Sequence, residues 1–121
     1  MTEISPIHKS TACGKSIQAI HDVMDIIGGK WKISIIACLC YGKMRYSDLL
    51  REVNGISGKV LSRELKDLEE NLLITRTVVN TQPISVEYEL TEYGRSLKVI
   101  TSVIAEWGFE HRKRILEQEL V

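Results

Sequence analysis

Apolar residues in the middle of the chain recur with the spacing of an amphipathic helix. Between Ser57 and about Asn71 the leucines are separated by four, three and four residues, which places them on one face of a helix with 3.6 residues per turn. Ser57 can cap the amino end of this helix. The sequence therefore predicts a helix that packs through Leu61, Leu65, Leu68 and Leu72 and exposes Lys59, Arg63 and Lys66 on its opposite face.

Three shorter helices are predicted before this one, at about 17–27, 31–40 and 47–53. Ser16 and Ser47 can cap the first and the third of them. The first is apolar on more than one side. Residues 44–46 are predicted to be extended. The third helix is expected to bury Leu49, Leu50 and Val53.

A hairpin and a long helix are predicted after the leucine-rich helix. Residues 74–79 and 86–90 are rich in β-forming residues and flank a polar stretch, which is typical of a hairpin. Thr91 starts a helical stretch that reaches about residue 120, and Gly108 is a candidate break in it. Its apolar stripe comprises Tyr93, Leu97, Ile100, Ile104 and Trp107. Val99 and Val103 widen this stripe, so we expect the helix to pack on something besides its own domain.

This order of elements predicts a mainly α fold with a small β-hairpin, an α+β arrangement of the winged helix-turn-helix type. A chain of 121 residues fits one compact domain. We therefore expect a polar arm at 1–15 and a single domain at 16–121.

The composition, 44% hydrophobic and 26% charged, is that of a soluble globular protein. No run of eighteen apolar residues indicates a membrane helix, and the polar residues 1–15 lack the apolar run of a secretory signal. The three cysteines, an odd number, are expected to stay reduced. The sequence predicts a cytoplasmic protein with no membrane partner and no cofactor.

The charge distribution is uneven although the net charge is zero. Residues 43–66 hold six basic and three acidic side chains, whereas residues 67–92 hold six acidic side chains and one basic one. Zero net charge argues against a polyanionic partner, but the local excess of cations coincides with the leucine-rich helix. An α-helix fits the major groove of B-DNA, so this helix is a candidate reading helix.

Four segments of the chain, in this order and spacing, resemble the HxlR-type winged helix-turn-helix regulators, which are related to the MarR group. The resemblance spans roughly residues 17–114, and the matching segments are 27–32, 45–49, 55–69 and 86–97. It implies a homodimeric repressor or activator, not an enzyme, whose helices at about 17–27 and 92–120 form the dimer interface. Two-fold symmetry would place the reading helices about 34–36 Å apart, so the resemblance implies double-stranded DNA with a near-palindromic operator as the partner.

Candidate DNA-binding residues lie in three places. Arg63 can make bidentate contacts with a base, and the other cations and hydroxyls can bind phosphates. Glu70 would repel phosphate, which limits contact to the first turns of the reading helix. The alternative is that these cations form a solvated helix face. The candidates are Ser57, Lys59, Ser62, Arg63 and Lys66 in the helix, Lys43, Arg45 and Ser47 before it, and Thr81 and Gln82 at the hairpin tip.

Cys13 is a candidate redox sensor. Some members of the resembled family sense electrophiles or oxidants through a cysteine just before the first helix, and Cys13 occupies that region. Lys15 and the amino end of a helix capped by Ser16 would favour its thiolate form. One interpretation of Cys13 is therefore a sensor for a small-molecule or oxidant effector, and the alternative is an unreactive thiol. Cys38 is expected to be an inert apolar residue, and no metal site is predicted because Cys38 and Cys40 diverge by about 160° on one helix.

Two other classes of function compete with DNA binding. A winged-helix module for protein–protein contact fits the zero net charge and the acidic residues 67–92. An enzyme would need a catalytic grouping, and the sequence holds no glycine-rich phosphate loop, nucleophile elbow or HExxH motif.

Overall fold

A computed structural model describes residues 6–80 and 82–119. It is mainly α with a small antiparallel sheet, as predicted. α3 and α4 form the helix-turn-helix, and the hairpin of β2 and β3 is the wing. The elements are α1 (Pro6–Ile27), α2 (Lys32–Leu39), β1 (Met44–Arg45), α3 (Tyr46–Glu52), α4 (Gly58–Glu70), β2 (Ile74–Val79), β3 (Ser85–Leu90), α5 (Glu92–Arg95) and α6 (Lys98–Glu119).

The hydrophobic core lies among α2, α3, α4 and the sheet. Leucines of α4 belong to this core, as the spacing predicts, and so do two isoleucines of α2. Burial of this apolar surface is the main stabilising term for the fold. The fully buried side chains are Ile35, Ile36, Leu49, Leu61, Leu65, Leu68, Leu73 and Ile74.

The sheet has three strands in the order β1-β3-β2, all antiparallel. The wing pairs Ile74 with Leu90 at its base and Val79 with Ser85 near its tip. β1 was expected to be extended, and it pairs with β3 through Met44 opposite Tyr88. This pairing attaches the wing to the segment just before the helix-turn-helix.

The two ends of α4 differ in how well the sequence predicts them. Ser57 caps the amino end, as predicted, because its Oγ accepts a hydrogen bond from the Val60 N–H at 3.2 Å. At the other end the expectation that Leu72 is buried is wrong. Leu72 adopts a left-handed conformation with φ 62° and is 71% exposed, and the buried residue is Leu73. The Leu73 N–H bonds to Leu68 O and the Leu72 N–H to Glu69 O, which is a Schellman motif.

The starts of α1 and α3 differ from the prediction. α1 begins at Pro6, so Ser16 lies inside the helix and the polar arm is helical over much of its length. Proline is favoured in the first turn of a helix because its fixed φ is already helical. α3 begins at Tyr46 with Arg45 at the N-cap, so Ser47 is not its cap, and Leu50 is exposed rather than buried.

The helical stretch after the wing divides before α6, not at Gly108. Thr91 caps α5 through its Oγ1, which accepts from the Gly94 N–H at 2.9 Å and donates to Leu72 O at 2.7 Å. A side chain at Gly94 would collide with the Leu73 carbonyl oxygen, at 2.0 Å from the added carbon. α6 then runs without interruption through Gly108.

α1 and α6 expose wide apolar faces. Trp107 is 70% exposed and stacks on His111 with ring centroids 5.2 Å apart, whereas Trp31 is half-buried against the core. Among the helices that the structure describes, none has the length and apolar character to cross a membrane. The large exposed apolar side chains are Ile17, Ile20, Val23 and Met24 in α1 and Val99, Ile100, Val103, Ile104, Trp107, Phe109, Ile115 and Leu116 in α6.

Candidate nucleic-acid interface

The exposed face of α4 carries the predicted cations. Lys59, Arg63 and Lys66 are all exposed, on the side of the helix opposite the buried leucines. Arg63 Nη2 lies 3.7 Å from Glu64 Oε1, but the Arg63 side chain remains 63% exposed. Among residues 6–80 and 82–119, Lys59 and Lys66 have no acidic partner within 4 Å. The face therefore offers two lysines that no described carboxylate neutralises and an arginine whose side chain stays mostly exposed.

Tyr46 fixes the amino end of α4 against α3. Its hydroxyl donates a hydrogen bond to the Gly58 carbonyl oxygen at 2.9 Å and lies 3.1 Å from Ser62 Oγ. Gly58 suits this close approach, because an added Cβ would lie 3.2 Å from the same hydroxyl. Tyr46 thus orients Ser62. The sequence predicted an extended backbone at Tyr46 and did not indicate this role. A residue contacting another sixteen positions away leaves no periodic signal along the chain.

The inner side of α4 is held by a mostly buried ion pair. Lys32 Nζ, at the start of α2, lies 2.5 Å from Glu64 Oε2 and 3.3 Å from Asp67 Oδ2. The Lys32 and Glu64 side chains are 15% and 12% exposed. The hydrogen bond to Glu64 raises the pKa of Lys32 against the opposing effect of burial, and the hydrogen bond to Asp67 raises it further. Lys32 therefore stays charged at neutral pH and ties α4 to α2.

Two of the candidates before the reading helix face the wing. Arg45 and Ser47 are exposed and line a groove with Pro83, Ile84 and Ser85 of the hairpin. The fold thus brings the start of α3 and the tip of the wing to one side of the molecule. Lys43 is also exposed, but its Nζ lies 3.8 Å from Glu87 Oε1, so part of its charge is compensated.

The wing adds one cation that the sequence reading missed. Arg76 is exposed on β2 and lines a groove of about 500 Å³ with Ser62 and Lys66 of α4. It follows Ile74 by two residues on the strand, so it shares the face that turns toward α4. That spacing is the signal by which it could have been found. Of the predicted tip residues, Gln82 is exposed, and Thr81 lies outside the described residues.

The three thiols have different surroundings. Cys13 is exposed on α1 but lies seven residues after Pro6, so the expectation that it sits at the amino end of the first helix is wrong. Cys38 is half-buried, and burial, followed by the charge of Glu52, raises the pKa of its thiol, which suits an inert side chain. Cys40 Sγ lies 3.9 Å from Thr101 Oγ1 of α6. Within the described part of the chain, no group of three potential metal ligands comes together.

Comparison with known proteins identifies the family. Residues 26–116 match the model of the HxlR-like helix-turn-helix family. The chain belongs to the HxlR-like family. The HTH-type transcriptional regulator YtcD of Bacillus subtilis (strain 168) is 42% identical over 97 residues, which cover 80% of this chain and 77% of YtcD. The resemblance inferred from the sequence is confirmed, and the family consists of transcriptional regulators, not enzymes.

Solved structures of related regulators share the winged helix-turn-helix fold. YtcD superposes with a TM-score of 0.73 over 78% of this chain and 96% of its own. The redox regulator HypR in its reduced form, 33% identical, gives 0.74 over 82% and 98%. The reduced form of YodB from B. subtilis, 30% identical, gives 0.65 over 74% and 87%, and its quinone-bound form, 28% identical, gives 0.64 over 77% and 98%.

Proposed function

We propose that this HxlR-like chain is a sequence-specific DNA-binding transcriptional regulator that binds a near-palindromic operator as a homodimer. One observation carries the proposal: α4 is anchored to the core by its leucines and presents Lys59, Arg63 and Lys66 outward. Helix α4 is 13 residues long, which is sufficient for its first turns to enter a major groove. Regulation in the cytoplasm, and repression rather than activation, are parts of this proposal.

The cations divide into base-reading and phosphate-binding groups. Arg63 lies in the middle of the exposed face, and its planar guanidinium can make two parallel hydrogen bonds to guanine in the major groove. Lys59 and Lys66 are point charges on flexible stems, which suits phosphates. Arg76, reaching from the wing toward Lys66, extends the phosphate contacts to the neighbouring strand of the duplex. The other proposed contacts are Ser57, Ser62, Lys43, Arg45, Ser47, Thr81 and Gln82.

Dimerisation through α1 and α6 accounts for their exposed apolar faces. Monomeric soluble proteins rarely expose contiguous apolar patches of more than a few hundred Å². Ile20 and Met24 in α1 and Ile104 and Trp107 in α6 are all at least half exposed. A symmetric partner would remove both faces from water and fix the separation of the two reading helices.

A redox or electrophile response is proposed for Cys13. HypR is a redox regulator, and YodB has a quinone-bound form. Cys13 is exposed on α1, the helix assigned above to the dimer interface, so a modification there would act on the spacing of the reading helices. This proposal requires the exposure of Cys13 and not a position at the amino end of a helix.

The test is selection of bound sequences from a random duplex pool, followed by measurement of the Arg63→Ala variant. We expect a recovered palindrome whose half-sites are about one helical turn apart. Arg63→Ala should cost about 1–3 kcal/mol in binding to the recovered site, while Arg114→Ala, an exposed arginine of α6, should leave affinity unchanged. Absence of any enriched sequence and of binding at low salt would refute the proposal and favour a protein-binding module.

A further inference from the structure

Two adjoining cavities lie between the end of α2, the last strand of the wing and the start of α6. Their volumes are about 200 Å³ and 220 Å³, and Cys40, Tyr41 and Lys98 line both. The first is completed by Leu39, Gly42, Glu89, Leu90 and Arg95. The second is completed by Ala37, Thr101, Ser102 and Ala105. None of these residues belongs to the DNA interface assigned above.

The charge at the mouth of the cavities is cationic. Lys98 and Arg95 have no acidic partner within 4 Å in the described ranges 6–80 and 82–119. Glu89 is the single carboxylate among the lining residues, and its side chain does not pair with either cation. Two unpaired cations against one acid favour an anionic occupant, because a cation and a carboxylate form strong charge-assisted hydrogen bonds.

The walls favour an occupant with an apolar body. Leu39 and Leu90 are buried core residues, and Ala37 and Ala105 line the second cavity. Thr101 and Ser102 add hydroxyls, and the Thr101 hydroxyl already donates to Lys98 O at 2.9 Å. A cavity of about 150 Å³ holds a molecule the size of benzene, so each cavity admits one aromatic ring.

We propose that these cavities form a binding site for a small organic anion, with one aromatic ring or its equivalent against the apolar walls and an acidic group at Arg95 and Lys98. Cys40 lines both cavities, and its Sγ lies 3.9 Å from the Oγ1 of Thr101, which lines the second, so an occupant there would cover the thiol. A half-open pocket with a few convergent polar groups on apolar walls is the usual form of a small-molecule site.

Occupancy would act on the reading helix through α2. The site contacts the end of α2, whose start is tied to α4 by the Lys32–Glu64 pair, and it contacts the start of α6. An effect on DNA affinity therefore rests on the proposed function, whereas binding of the anion does not. A ligand changes DNA affinity to the extent that it binds the two arrangements of α2 and α6 unequally.

Protection of Cys40 from alkylation tests the site without DNA. The full chain is treated with iodoacetamide in increasing benzoate or phenyl phosphate, with benzamide and phenol as neutral controls, and each cysteine is followed by peptide mass spectrometry. We expect either anion to slow alkylation of Cys40 and to leave Cys13 unaffected, and the neutral compounds to protect far less. Lys98→Gln should raise the apparent Kd about tenfold, the loss of one charge-assisted hydrogen bond.

Failure of the site and failure of the proposed function give different results. Equal protection by anions and neutral compounds, or no protection by any of the four, would overturn the site. DNA affinity is measured separately with and without benzoate. Protection with unchanged DNA affinity would support the site and refute its role as an effector site, whereas a chain that binds no DNA at all would refute the proposed function and leave the protection result intact.

Discussion

Replacing Lys32 with methionine tests whether the mostly buried ion pair between Lys32 and Glu64 holds α4 in place. Methionine keeps the apolar stem of the side chain, so Lys32→Met mainly removes the charge. The Glu64 carboxylate, whose side chain is 12% exposed, then loses the ammonium group that it pairs with. Breaking a buried pair by removing one partner costs about 3–5 kcal/mol. Arg63, 3.7 Å from the other oxygen of Glu64, offsets part of the loss. We therefore expect the lower end, about 3 kcal/mol, or a Tm lower by roughly 10 °C for a chain of this size.

The assay is thermal unfolding at one fixed protein concentration, because the proposed dimer would make Tm depend on concentration. Lys59→Met, an exposed lysine without an ion pair in the described ranges, is the matched control and should shift Tm little. The double variant Lys32→Met with Glu64→Gln should recover much of the loss, because no buried charge remains unpaired. A Tm for Lys32→Met within 2–3 °C of the wild type, on the scale of a surface substitution, would refute the reasoning.

The same pair predicts a pH dependence with a definite sign. The pKa of Lys32 is raised in the folded chain above the ordinary lysine value of about 10.4. Its contribution is therefore fully present below that ordinary value and is lost as the pH rises through the folded pKa. The difference in stability between the wild type and Lys32→Met should stay constant from neutral pH to about pH 10 and shrink above it.

Three further outcomes are expected. Leu72→Gly should raise the free energy of unfolding, measured by denaturant titration, by about 0.5–1 kcal/mol. The reason is that Leu72 is exposed at φ 62°, a conformation that glycine adopts without strain. A decrease would show that the Leu72 side chain packs on another part of the protein. Ile104→Glu should yield monomers by analytical ultracentrifugation, with Gln118→Glu remaining dimeric, and a dimeric Ile104→Glu would move the interface elsewhere. Cys13→Ser should abolish DNA release by diamide or a quinone, and release that persists would remove Cys13 as the sensor.

The local pattern was sufficient to predict α4 and the wing. The leucine spacing and the Ser57 cap located α4 to within one residue at each end. Two runs of β-forming residues around a polar stretch located both strands of the hairpin. These features depend on contacts between residues close in sequence and on the packing of one apolar face of each element against the core. The prediction failed at Leu72, because helix periodicity alone does not reveal where a helix ends in a Schellman motif. Beyond that end the chain changes direction, so that Leu73 and not Leu72 is buried in the core.

The contacts that orient the candidate interface come from residues far apart in the sequence. Tyr46 reaches Ser62, Lys32 reaches Glu64, and β1 pairs with β3 across more than forty residues. None of these leaves a period of two or 3.6 in the chain. The cations themselves were predictable because a one-sided helix must expose its polar face. That Lys59 and Lys66 have no acidic partner within the described residues, and that Arg76 shares a groove with Lys66, became visible only in the structure.

The salt dependence of DNA binding tests most directly whether the exposed face of α4 contacts a duplex. The logarithm of the binding constant is plotted against the logarithm of the salt concentration for the wild type, for Lys59→Gln with Lys66→Gln, and for Lys113→Gln as the control on α6. Each lysine that neutralises a phosphate contributes about 0.9 to the magnitude of the slope. We predict a shallower slope for the α4 double variant and an unchanged slope for the control. An unchanged slope for the double variant, with binding intact, would contradict the account.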